Sequence, residues 1–115
     1  WSSPTGTVVS TTESRSLGQA VSTATASQVK ESMLAVVDEG SGSAASIAGV
    51  QVAGKTGTAE ATTDQVNTAF VGFAPYDTPT VAISVMIENF DEGVDEPAAA
   101  TAGEVLRIAL AAQGA

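Results

Sequence analysis

Neither cysteine nor histidine occurs among these 115 residues. Without cysteine there is no thiol nucleophile and no disulfide. Without either residue, the usual zinc ligand sets and any Ser-His-Asp triad are excluded as well. The lack of cysteine also suits an extracytoplasmic setting. Bases are scarce: four Lys and Arg stand against thirteen acids, a net charge of −9. Nucleic-acid duplexes and membrane surfaces are anionic and would repel such a chain, so both are set aside as partners. A small anion could still be held by one local positive group. No run of eighteen apolar residues and no signal peptide is present, and the chain opens on Trp1, which reads as a processing boundary.

What is there suffices for one folded unit. Hydrophobic residues make up 43% of the chain and charged ones 15%, which favours a modest core over disorder. Residues 1–24 are rich in Ser and Thr and read as turn-rich, with at most two short strands. The apolar pairs Val8–Val9 and Ala20–Val21 argue for a docked surface excursion rather than a linker. "TASQVKESMLAVVDEG" predicts a helix over 26–39, with Thr25 and Gln28 at capping-box spacing. Val29, Met33, Val36 and Val37 form its apolar stripe, and Gly40 ends it. "SGSAAS" reads as a flexible connector.

Three strand signals follow, over 47–58, 66–74 and 80–88, the last with Val81, Ile83, Val85 and Ile87 on one face. "PYDTP" between the last two predicts an antiparallel hairpin. A helix is expected over 97–113. Pro97 suits its first position, Asp95 and Glu96 suit its dipole, and Ala102, Val105, Leu106 and Ala109 form its stripe. Together these give an α+β unit: a helix, a three-stranded antiparallel meander and a closing helix.

The segment "GVQVAGKTGTAE", residues 49 to 60, admits three readings. Gly49, Gly54, Lys55 and Thr56 satisfy the phosphate-loop pattern, but that mechanism needs a helix beginning at the Lys-Thr pair. Val50, Gln51, Val52 and Ala53 prefer an extended chain instead. A structural reading takes the glycines as close approaches and the lysine as an edge charge that discourages aggregation. The third reading is a strand that binds a peptide along its edge. Gly57 lets a ligand backbone lie close, Lys55 supplies a positive charge for a carboxylate or a proton relay, and the Thr56 and Thr58 hydroxyls can donate. Alternation puts Lys55 and Gly57 on one face and the threonines on the other, so the ligand would sit at the edge.

"VQVAGKTGTAE" followed by "AFVGFAP" and "TVAISVMIEN" resembles the end of a penicillin-binding protein transpeptidase domain, closer to the high-molecular-weight class B type than to a class A β-lactamase. The resemblance covers residues 20–115 and implies a fragment of the β-lactamase/transpeptidase-like fold. That family pairs a Ser-x-x-Lys nucleophile, a Ser-x-Asn triplet and a Lys-Thr-Gly strand, and this chain has the third alone. Ser27-Gln28-Val29-Lys30 matches the first by letter. It lies too close to Lys55, and Ser27 sits in a helix's first turn, where capping alone favours hydroxyls. The resemblance therefore implies that residues 1–115 are the C-terminal portion of a single transpeptidase domain whose nucleophile lies elsewhere.

By the same resemblance Lys55 is catalytic, and Thr56, Gly57 and Thr58 bind substrate. The ligands would be a peptidoglycan stem peptide and β-lactams, with no cofactor or metal. The parent would be anchored at the extracytoplasmic face of a bacterial membrane. This chain would be soluble, inactive alone, and able to dimerise through an open sheet edge. The alternatives are a β-lactam-sensing or non-catalytic peptide-binding module of the same superfamily, and a phosphate-loop nucleotide binder. The acids Glu88, Asp91, Glu92, Asp95 and Glu96 do not fit calcium-loop spacing and read as a solvated loop. Phe70, Phe73 and Tyr76 read as sheet core and hairpin packing rather than a ligand platform.

Overall fold

The computed structural model describes residues 2–91 and 97–114. Two helices, α1 (Thr23–Glu39) and α2 (Pro97–Ala112), accompany strands β1 (Ala53–Glu60), β2 (Gln65–Ala74) and β3 (Val81–Asp91). The strands form an antiparallel sheet in the order β1-β2-β3, which is the α+β meander expected. Among the described residues no helix is long and apolar enough to cross a membrane.

Strand β2 shows why the sheet has two unlike faces. Val66, Thr68, Phe70, Gly72 and Ala74 are all buried, whereas the residues between them are half-buried or exposed. Antiparallel register carries that alternation sideways: Thr56 pairs with Phe70, which pairs with Val85, and Gly54 pairs with Gly72, which pairs with Ile83. Val81, Ile83, Val85 and Ile87 thus fall on the covered face, as their spacing predicts, and pack against the core. The core itself joins Val37 of α1, Ala45, Val52, Phe70 and Ala74 to Ala98, Ala99, Ala102, Leu106 and Leu110 of α2.

Helix α2 uses a different stripe from the expected one. Ala98, Ala102, Leu106 and Leu110 recur every fourth residue, with Ala99 and Gly103 beside them, whereas Val105 is 48% exposed. Gly103 is there because of what lies beneath it. A Cβ at that position would come within 2.9 Å of the Ala45 Cα. Ala45 belongs to a 3-10 turn, Ser43–Ala45, that packs against α2. The "SGSAAS" stretch is therefore structured rather than a flexible connector. Its small residues are read more truly as close packing than as looseness.

Other sequence expectations shift by local chemistry. Helix α1 begins earlier than predicted because Ser22, not Thr25, is its cap: the Ser22 hydroxyl accepts from the Thr25 N–H at 3.1 Å. Val29 is exposed, and Val37 is the fully buried member of the stripe. The first predicted strand begins only at Ala53. Residues 47 to 50 instead make a tight turn, with the Val50 N–H bonded to the Ile47 carbonyl and Gly49 at φ 78°. Strand β3 runs past its predicted end at Glu88 because Asn89 (φ 55°) makes a bulge whose N–H is accepted by the Asn67 side chain. Val8, Val9 and Leu17 are exposed, so the N-terminal tract is not docked on the described residues. Pro97 does open α2. The expected dipole partners Asp95 and Glu96, like Glu92, lie outside the described residues.

Candidate functional site

Lys55, Thr56, Gly57 and Thr58 lie consecutively in β1, whose outer edge meets no other strand among the described residues. A strand through Lys55 excludes the phosphate-loop reading, which needs a helix to start there. Lys55 and Gly57 fall on the face opposite Phe70, as alternation predicts. Their cross-strand partners there are Val71 and Ala69, and then Ser84 and Met86 of β3. Val71 is 46% exposed and Met86 64%.

This bare face holds an unneutralised cation. Among the described residues the one ion pair joins Arg107 to Glu104, a surface contact three residues apart in α2. Lys30 is engaged elsewhere, its ammonium 4.4 Å from the centre of the Tyr76 ring and 5.9 Å from that of Phe73. Lys55 is exposed, and its ammonium donates to the carbonyl of Thr56 rather than to a carboxylate. A charge that holds no carboxylate can accept one at little cost.

The two glycines of the motif have opposite surroundings. At Gly54 an added Cβ would lie 2.1 Å from Phe70 Cζ, because the ring leans along β2 over the Gly54–Gly72 pair. At Gly57 an added Cβ would meet nothing within 4 Å among the described residues. Gly57 thus leaves open space next to Lys55 along an unpaired edge, which is what a ligand main chain needs if it is to add itself as a strand.

The threonines divide too. Thr58 is exposed, whereas Thr56 retains 8% exposure beneath the turn that follows α1. There Thr56 Oγ1 and Ser41 Oγ are 2.8 Å apart. Reading Ser41 as part of a flexible connector missed this contact. The Gly-Ser-Gly run directly after a helix was the available signal, since paired glycines allow a turn to press against a strand. The Thr68 hydroxyl, two residues from Phe70 on the same face, is buried without a hydrogen-bond partner among the described residues.

Of the other residues singled out, Ser27 is exposed on α1. No hydrogen bond joins it to Lys30 among the described residues, and the Lys30 ammonium sits over Tyr76. Phe70 is fully buried in the core, whereas Phe73 and Tyr76 are half-buried and face Lys30. The three rings therefore do not form one cluster.

Comparison with known proteins places the chain in a family. Residues 5–107 match the family model of the penicillin binding protein transpeptidase domain. The chain is 35% identical over 108 residues to the peptidoglycan D,D-transpeptidase PbpA of Mycolicibacterium smegmatis, covering 90% of this chain and 22% of that one. Among solved structures, the D,D-transpeptidase domain of a peptidoglycan glycosyltransferase from Eggerthella lenta superposes with a TM-score of 0.77. It is 42% identical, and the match covers 98% of this chain and 26% of that one. Penicillin-binding protein A of M. tuberculosis, solved as an imipenem acyl-enzyme complex, superposes with a TM-score of 0.65 at 30% identity, covering 93% of this chain and 24% of that one. The chain thus spans about a quarter of the length of these relatives. With the first helix, the whole sheet including the lysine strand and most of α2 inside the matched region, this chain belongs to the penicillin-binding protein transpeptidase domain family.

Proposed function

We propose that the chain is the C-terminal part of a serine D,D-transpeptidase that cross-links peptidoglycan stem peptides outside the bacterial cytoplasmic membrane. The observation that carries this reading is the open edge of β1, where the unneutralised Lys55 and the bare Gly57 stand side by side. A serine supplied from outside these residues would attack the carbonyl of a D-Ala-D-Ala terminus, expel the last alanine and form an ester. An amine of a neighbouring strand would then displace the serine. Penicillins acylate the same serine because their strained amide presents an equivalent carbonyl.

In that cycle β1 binds and polarises. The peptide lies along the outer edge of the strand, with Gly57 permitting its approach and the Lys55 ammonium lowering the cost of the ligand's negative charge. Hydroxyls of Thr56 and Thr58 donate to the terminal carboxylate, and an outward N–H near Thr58 serves the oxyanion. Lys55 also favours loss of a proton from a hydroxyl near it, which gives it a catalytic as well as a binding role. The membrane anchor and the nucleophile belong to the rest of the parent protein. The isolated chain, with both outer sheet edges unpaired among the described residues, would pair through one of them with a second copy.

Intact-mass measurement before and after incubation with penicillin tests this. The isolated 115-residue chain should gain nothing, whereas the parent transpeptidase should gain one penicilloyl group on a serine outside these residues. An adduct on this chain itself, at Ser27 or another hydroxyl, would overturn the division of labour. An unreactive parent would overturn the activity.

A further inference from the structure

Ser41 has no part in the readings above, yet its turn is tied to the helix end. It follows α1 between Gly40 and Gly42, and the N–H groups of both glycines bond to the carbonyl of Val36, at 3.1 and 2.9 Å. A Cβ on Gly42 would stand 3.0 Å from Val36 Cγ1 and 3.4 Å from Phe70 Cε2, so the turn is pressed between the helix end and the core ring. Ser41 is thereby held where its hydroxyl lies 2.8 Å from Thr56 Oγ1.

Either hydroxyl can donate in that pair, and the two arrangements differ in consequence. A threonine hydroxyl has one proton and two lone pairs. If Thr56 donates to Ser41, its proton is consumed within the protein. If Ser41 donates to Thr56, the threonine proton is free for an outside acceptor. A carboxylate offers acceptors only, so its arrival selects the second arrangement. The resulting chain, Ser41 to Thr56 to carboxylate, is polarised in one direction, which strengthens its terminal bond.

We propose that Ser41 is a positioning residue for anion recognition by β1. Its hydroxyl donates to Thr56 Oγ1, fixes the threonine side chain and turns the Thr56 O–H toward a ligand carboxylate at the strand's outer edge. The assignment rests on the transpeptidase reading of that edge and extends it to a residue outside the lysine motif. It also gives the Gly-Ser-Gly turn a task beyond ending a helix: the glycines let the turn come close, and the serine uses the proximity.

The test is the second-order rate of acylation of the parent transpeptidase by a penicillin with its free carboxylate and by the same penicillin as its carboxyl methyl ester. Ser41→Ala should slow the free acid about tenfold and the ester less than twofold, and Ser41→Thr should restore the free acid. The ratio of the two rates is internal to one preparation, so a lower folded fraction leaves it unchanged. An equal fall for acid and ester would reduce Ser41 to a packing contact and overturn the proposal, as would unchanged rates for both. If the wild-type parent reacts with neither compound, the transpeptidase reading itself fails, a result distinguishable from either failure of Ser41.

Discussion

The two faces of the three-stranded sheet obey different rules although they share every residue of backbone. On the covered face the strands carry Phe70, Ile83 and Val85, and the side chains are dictated by what presses on them. On the other face Lys55, Gly57, Val71 and Met86 meet little or nothing. Gly54 and Gly57, three positions apart in one short motif, fall on opposite sides of this division. One is glycine because the space is full, the other, on the function proposed, because a ligand needs the space. A residue pattern thus compresses two unrelated demands into one string, and the sheet separates them again.

Substitutions on the two faces should expose the difference. The largest effect is expected at Phe70→Ala, which removes the ring that fills the space over Gly54 and Gly72 and should cost about 3–5 kcal/mol in urea unfolding. Gly54→Ala drives a methyl into that ring and should cost about 3 kcal/mol, since the ring has backbone and core around it. Thr68→Val removes a buried hydroxyl that has no partner among the described residues and should raise stability by about 1 kcal/mol, seen as a higher melting temperature. Gly57→Ala is the sharpest contrast: it should change stability by less than about 0.5 kcal/mol. In the parent protein it should nevertheless slow penicillin acylation by an order of magnitude or more, because a methyl would stand where the ligand backbone approaches. If Gly57→Ala unfolded the protein as readily as Gly54→Ala, the contrast between the faces would be lost.

The sheet was legible in the sequence because alternation is a strong signal when one face is buried, and Val81, Ile83, Val85 and Ile87 display it without interruption. The lysine strand was legible through its motif, and its alternation correctly put Lys55 and Thr56 on opposite faces. What escaped was contact made by small residues. Gly103 against Ala45 and Ser41 against Thr56 depend on segments far apart in sequence meeting closely, whereas the close approach at Gly54 was within the structural reading of the motif. Glycine, alanine and serine look alike whether they mark slack or tight packing. The α2 stripe was misplaced for the same reason. Val105 attracted attention by its size, while the helix is seated on alanines that can come nearer the sheet.

The fixing of β1 is uneven along its length. Its entry is held three ways: Ala53 is fully buried, the Gln51 carbonyl just before it accepts from the Tyr76 N–H at 2.9 Å, and Tyr76 is itself capped by Lys30. From Gly57 to Glu60 every residue is exposed. The strand's ladder to β2 runs on to the Glu60–Val66 pair, so what falls away along β1 is cover on its flanks and not its pairing, and the lysine motif straddles the point where that cover gives out. A peptide laid along the outer edge would add cover where the strand has least. Its grip would then depend on how far along β1 it reaches: a ligand touching only the root would meet a finished surface, and one reaching the tip would have to complete it.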